Sequence, residues 1–356
     1  MPDTKIETEG MGVPSASEAA CQKKKTGIQD TENDTNVEPE FNLVPIPADV
    51  LIAGPPPPPV DFVIGGLPIR RVGLLLGSDG AGKSWLTLQF ALSVAAGIPV
   101  AGGAIPAPKQ TGSVLVIVGE DDRNNYCNRL LRILDGLPDE QRKLAGVRLN
   151  QLEILCLEGE RMPLARVRDS MVVPHFDTVK KLKKFMKDKR LVVLDPLVMF
   201  HDLDENSNSH MDFLGRLFDR MARETGAAIL LVHHTGQDAV RNGREDHHVG
   251  RGGTALACAC RAVWVLRALS EKEAKGKENP HKYRKLAGPK VTHGPRREAK
   301  LLEHDGRILC FVDGPGVVVD KNSDDSERMP ERTRTTSQSP TSSLLDDQEL
   351  LARAGF

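Results

Sequence analysis

Between residues 60 and 235 the chain alternates short apolar runs with longer amphipathic stretches. Residues 72–76, 114–118, 152–157, 191–194 and 228–232 are apolar-rich runs of strand length. The runs 191–194 (LVVL) and 228–232 (AILLV) have no polar member, the pattern of parallel strands covered on both faces. Residues 84–96, 123–135, 176–187 and 211–225 repeat their apolar positions at helical spacing. Alternation of this kind predicts an α/β fold: a mainly parallel, doubly wound sheet with right-handed crossovers, flanked by helices. After Thr254 the helical pattern stops, and residues 262–266, 282–287, 298–303 and 308–312 read as shorter, more exposed strands. They predict a mostly antiparallel C-terminal extension of the same sheet.

Charge divides the chain further. The net charge of the 356 residues is -1. Residues 1–45 hold 9 acids and 4 bases, and residues 316–356 hold 8 acids and 5 bases. Both segments are polar and lack periodic apolar positions, so both are expected to be disordered tails. Residues 343–353 alone have the pattern of one short amphipathic helix. The domain between the tails, residues 46–315, therefore carries a net positive charge. Five prolines at 55–59 predict a stiff extended entry into it. No run approaches the ~18 apolar residues of a membrane helix. The N-terminal residues lack the apolar segment of a secretory signal. Six cysteines form no disulfide framework, and Cys258-x-Cys260 has no second pair with zinc-site spacing. A cytoplasmic protein with reduced thiols, and no membrane partner, is expected.

The sharpest local signal is Gly77-Ser78-Asp79-Gly80-Ala81-Gly82-Lys83-Ser84. It fits G-x-x-x-x-G-K-[ST] and lies between a predicted strand and the helix opened by Trp85. Glycines let backbone N–H groups turn onto phosphate oxygens, and the new helix N-terminus adds partial positive charge. Lys83 would reach the β- and γ-phosphates of ATP, and the Ser84 hydroxyl would ligate Mg²⁺. Such a loop needs a carboxylate on the metal side, at the end of a neighbouring apolar strand. Leu191-Val192-Val193-Leu194-Asp195 offers Asp195. Val114 to Glu120 offers a second strand-end carboxylate, Glu120, as the base that takes a proton from attacking water. Asp121 and Asp122 follow, expected to cap the next helix. At a third strand end stand His233 and His234. Adjacent residues on a strand point opposite ways, so one faces the nucleotide; His234 is preferred.

The ordered set Gly77–Ser84, Gly119-Glu120-Asp121-Asp122, Leu194-Asp195-Pro196-Leu197 and Val232-His233-His234-Thr235 resembles RecA-like ATPases. Within these it resembles the RepA-type hexameric replicative helicases of plasmids and related mobile elements, as does the segment Asp61 to Leu67. The likeness covers roughly residues 60–312. It implies a RecA-like P-loop core in a homo-oligomeric ring, expected to be a hexamer, with ATP between subunits. It implies translocation on single-stranded DNA during plasmid or mobile-element replication, with a replication initiator or primase as further partner. Arg261 matches the arginine finger that acts on a neighbour's ATP; an intramolecular salt bridge is the alternative. Lys290, in Lys290-Val291-Thr292-His293-Gly294, matches a second cation acting in trans. The polar stretch 237–253 matches the channel loop, with Arg241, Arg244 and Arg251 as DNA phosphate contacts. Residues 241–300 hold 15 bases and 6 acids, which suits that role or a solvated basic face. A DNA-binding regulatory or recombination ATPase without unwinding activity, or a nucleotide-dependent replication scaffold, remains the alternative.

Overall fold

Period-two alternation explains why the strand sequences are apolar throughout. A computed structural model of the protein describes residues 44–235, 254–293, 297–304 and 309–311. In β4 (Val114–Val118), Val114, Val116 and Val118 enter one core while Leu115 and Ile117 enter another. The same division separates Leu191 and Val193 from Val192 and Leu194 in β8 (Leu191–Asp195). It separates Leu230 and Val232 from Ile229 and Leu231 in β9 (Ala228–His234). A sheet with a core on each face needs apolar side chains at every position.

Two units are distinguished, residues 1–58 and 59–356. The described part of the first holds one short helix, α1 (Ala48–Ile52), with Val50, Leu51 and Ile52 exposed. The second opens with a hairpin of β1 (Phe62–Ile64) and β2 (Leu67–Pro68). Then follow β3 (Val72–Gly77), α2 (Lys83–Ala96), β4, α3 (Arg123–Gly136), α4 (Asp139–Arg148) and β5 (Leu152–Cys156). A small hairpin of β6 (Ala165–Arg168) and β7 (Met171–Pro174) precedes α5 (Phe176–Met186), β8, α6 (Asn208–Thr225) and β9. The last elements are α7 (Ala255–Ala259), β10 (Ala262–Ala268), α8 (Glu271–Ala274), β11 (Tyr283–Val291), β12 (Arg297–His304) and β13 (Leu309–Phe311).

Among the described residues the main sheet has nine strands in the order β13-β12-β11-β10-β3-β9-β8-β4-β5. The strands from β10 to β5 run parallel, and β11 to β13 continue antiparallel. This is the RecA-like P-loop architecture that the sequence resemblance implies. β3 lies at the centre, so the loop that leaves it opens between the C-terminal ends of β10 and β9, with β8 one strand further on.

Two expectations need correction. Helices do not stop after Thr254: α7 and α8 have five and four residues, too short to print a helical period. α8 is instead fixed by a capping box between Ser270 and Glu273, and Glu273 also holds Arg267 and Lys285. Residues 262–266 are not an exposed antiparallel strand, because β10 pairs parallel with β3 and is buried over six of seven positions. Cys258 lies in α7, and the thiol of the buried Cys260 just after it is pushed up to about 12 by burial. α4 escaped the sequence because it buries only Ala145 and so shows no apolar stripe. The expectations for residues 1–43 and 316–356, and for Arg241, Arg244 and Arg251, lie outside the described residues.

Candidate nucleotide site

The phosphate loop follows from two local constraints. Gly77 ends β3 so close to β10 that a Cβ there would stand 2.6 Å from the Leu266 carbonyl oxygen. Gly82 caps α2 at φ 96, a left-handed conformation that disfavours side chains. Between them the chain turns sharply and presents the N-terminus of the 14-residue α2. Asp79 and Gly80 are exposed, Ala81 is buried, and Ser78, Ser84 and Trp85 are half-buried.

Lys83 is 8% exposed, and its Nζ donates to the carbonyls of Gly77 and Ser78, both at 2.9 Å. His234 Nδ1 lies 3.4 Å from the same nitrogen and also contacts the Asp79 carboxylate. His233 points the other way, into a buried group where its Nδ1 lies 4.0 Å from Glu205 Oε1. His201 shares that carboxylate at 3.8 Å, and burial pulls its pKa down to about 4. Strand alternation thus turns His234 toward the phosphate loop and His233 toward the opposite core.

Asp195 ends β8 at 5% exposure. Thr87 Oγ1, one turn into α2, donates to its Oδ2 at 3.4 Å. Burial pushes the Asp195 carboxyl above its ordinary range, partly offset by the Ser84 hydroxyl and by Lys83 and Arg129. Ser84 and Asp195 together present a hydroxyl and a carboxylate, the hard oxygen donors that suit Mg²⁺. Among the described residues, no group of three or more His, Cys, Asp or Glu side chains is arranged to hold a metal alone.

Glu120 follows β4, whose Val118 pairs with Asp195. The backbone closes behind it, with the Gly119 N–H donating to the Asp195 carbonyl at 2.7 Å. Glu120 is exposed, and its carboxylate has no hydrogen bond or ion pair among the described residues. Asp122 caps α3 by accepting from the Asn125 N–H at 2.8 Å, whereas Asp121 pairs with Arg129.

Arg261 stands at the other end of the sheet. Its N–H donates to the Val72 carbonyl, at the start of β3. The phosphate loop lies five residues further on, about 16 Å of strand at ~3.3 Å per residue. Arg261 therefore does not join Lys83 within one chain. Lys290 Nζ donates to the carbonyls of Ala257 and Cys258 at 2.8 and 2.9 Å, closing the C-terminus of α7.

Several site residues carry no motif. Arg129 is held by Asp121 at 2.8 Å and lies 5.7 Å over the Trp85 ring and 5.2 Å over Tyr126. Tyr126 is buried, and burial together with the Asp195 charge raises its phenol well above the ordinary value. His304 packs edge-on against Trp85 at 5.5 Å. The i+6 and i+9 positions after Glu120 offered only a helical-period signal for Tyr126 and Arg129.

A family model described as an AAA domain matches residues 38–240. The chain belongs to this AAA domain family. The AAA domain match runs through Lys83, Ser84, Glu120, Asp195 and His234 and ends before Arg261. Solved structures are similar at greater distance. One solved ATPase domain has TM-score 0.47 and 13% identity, covering 68% of this chain and 85% of that one. A DnaB-like replicative helicase, described with its interactions with primase, has TM-score 0.47 and 14% identity over 68% and 57%. The RadB recombinase has TM-score 0.44 and 14% identity over 70% and 94%.

Replacing Asp195 by Asn separates the site from the fold. Its carboxyl pKa is raised on folding, so folding disfavours the charged form. That stability is complete below the ordinary carboxylate range and is lost as pH rises through the folded value. At neutral pH Asp195→Asn is therefore expected to raise the melting temperature, on the order of 2–4 °C, and to lower ATP turnover if the carboxylate serves the site. Calorimetry beside a phosphate-release assay checks both; a lower melting temperature would contradict the burial argument.

Proposed function

We propose that the protein is a Mg²⁺-dependent ATPase that assembles as a ring, a hexamer, and moves along single-stranded DNA in the replication of a plasmid or mobile element. One arrangement carries the reading. Lys83 and Ser84 follow β3, Asp195 ends β8 and Glu120 follows β4, all at the C-terminal ends of parallel strands, while Arg261 stands at the N-terminal end of the same sheet. Ser84 and Asp195 would hold the magnesium, and Lys83 with the N-terminal N–H groups of α2 would hold the phosphates. Bound there, Mg²⁺ would supply neutralisation of the negative charge on the phosphates. Glu120 is exposed and makes no ion pair among the described residues, so its carboxylate is available to take a proton from attacking water. His234, bridging Asp79 and Lys83 from the last residue of β9, is suited to register the phosphate state and pass it to the segment after Thr235.

Hydrolysis measured with and without single-stranded DNA, beside strand displacement on a forked duplex, tests this reading. DNA is expected to raise the rate severalfold and the fork to open. Stimulation without displacement would favour a recombination-type ATPase. An unstimulated, slow rate would favour a nucleotide-dependent scaffold and discard the motor.

A further inference from the structure

The outer wall of the phosphate loop is made by a residue that neither the motif nor the family match contains. Arg284 is the second residue of β11, far from Gly80 and Ala81 in sequence. Its Nε donates to the Ala81 carbonyl at 3.0 Å and its Nη2 to the Gly80 carbonyl at 3.4 Å. Its Nη1 donates to the carbonyls of His281 and Tyr283 at 2.6 and 2.8 Å. All three guanidinium nitrogens thus rest on backbone oxygens, and no carboxylate pairs with Arg284 among the described residues. A planar guanidinium fixes the direction of each acceptor in a way a flexible ammonium does not.

The consequence lies in the geometry of the peptide unit. In a trans peptide the C=O and the following N–H point to opposite sides. Arg284 draws the carbonyls of Gly80 and Ala81 outward, so the N–H groups of Ala81 and Gly82 face inward. The Ala81 N–H is held within the loop meanwhile, donating to the Ser78 carbonyl at 3.2 Å, a neutral acceptor that a phosphate oxygen would replace. These are the donors a phosphate needs, on a stretch where Gly80 and Gly82, both at positive φ, leave the backbone free to turn away. β11 itself is anchored between β10 and β12, so the brace is attached to the sheet rather than to a loop.

From this geometry we propose that Arg284 is a positioning residue for the nucleotide phosphates, holding the phosphate loop in its anion-binding form within its own chain. It touches the loop's outer carbonyls and not the reacting atoms. The proposal rests on the nucleotide-site reading above and specifies what keeps that site formed.

The test uses the full chain with Arg284→Ala and Arg284→Lys beside Lys83→Ala, and reads fluorescent-ATP affinity, kcat, KM and melting temperature. Arg284→Ala is expected to raise both the nucleotide Kd and the KM for ATP about tenfold, roughly the loss of one charge-assisted hydrogen bond. It should leave kcat within about threefold, because the groups that act on the γ-phosphate remain. Arg284→Lys, which reaches one carbonyl, should fall between wild type and Ala. Wild-type affinity in Arg284→Ala, with Lys83→Ala defective, would overturn the proposal and leave the site intact. A fall in kcat at unchanged KM would also overturn it, as would a lowered melting temperature without a change in KM. Should Arg284→Ala fail to fold, Arg284→Lys alone decides: wild-type KM discards the brace. If the wild type binds no nucleotide, the site reading itself fails.

Discussion

Lys83→Ala is expected to lower kcat/KM for ATP by roughly 10²–10³-fold, the cost of removing one preorganised charge from a developing phosphate anion. The side chain is well suited to that test. Its ammonium is held at 2.9 Å by two carbonyls of the loop it serves, so it is positioned before any phosphate arrives. Those carbonyls are neutral, and an incoming polyphosphate outcompetes them for the cation. Truncation removes the charge and leaves α2 and the loop glycines in place, so the fold should persist. Phosphate release and a fluorescent-nucleotide titration measure the effect, with circular dichroism as the check on folding. Hydrolysis retained within about threefold would mean that the phosphates bind elsewhere.

Legibility in the sequence followed the range of each constraint. The phosphate loop is local: eight consecutive residues carry the glycines, the lysine, the hydroxyl and the helix start. Asp195 and Glu120 were readable because each ends an apolar run, and parallel strands bring such ends together. Parity on β9 separated His234 from His233 for the same reason. What stayed hidden depends on pairing between distant segments. Arg284 meets Gly80 and Ala81 across about two hundred residues, and Arg129 meets Trp85 across forty-four. Neither contact leaves a period or a spacing in the chain. The parallel placement of β10 was hidden in the same way. Its apolar run is equally consistent with either direction, and only its neighbour β3 fixes which. The contact of Lys290 with the two carbonyls at the end of α7 was hidden in the same way.

Arg261→Ala is expected to leave ATP binding close to wild type while lowering turnover by roughly 10³–10⁵-fold, the range of a finger supplied in trans. The expectation rests on where the residue sits. Arg261 lies at the start of β3 and β10, on the side of the sheet away from its own phosphate loop. Its backbone is fixed there: the carbonyl accepts from the Thr292 N–H at 3.1 Å and from the Thr292 hydroxyl at 3.0 Å. The side chain is half-buried, makes no ion pair with a described carboxylate, and lines an open groove of about 650 Å³. Asp219, on the same groove, already serves Arg71 and Arg223. A guanidinium just before a rigid strand, in an ion pair with none of the described carboxylates, is suited to receive an anion from outside the chain. The decisive measurement mixes Arg261→Ala with Lys83→Ala subunits. Each alone should be inactive, but a mixed ring contains some sites with an intact Lys83 on one side and an intact Arg261 on the other. Hydrolysis should therefore return to a fraction of the wild-type rate as the two are titrated together. If the mixture stays as inactive as its components while both bind each other, Arg261 acts within its own chain or not at all. If Arg261→Ala alone loses ATP binding, its role is structural, and the trans assignment falls with it.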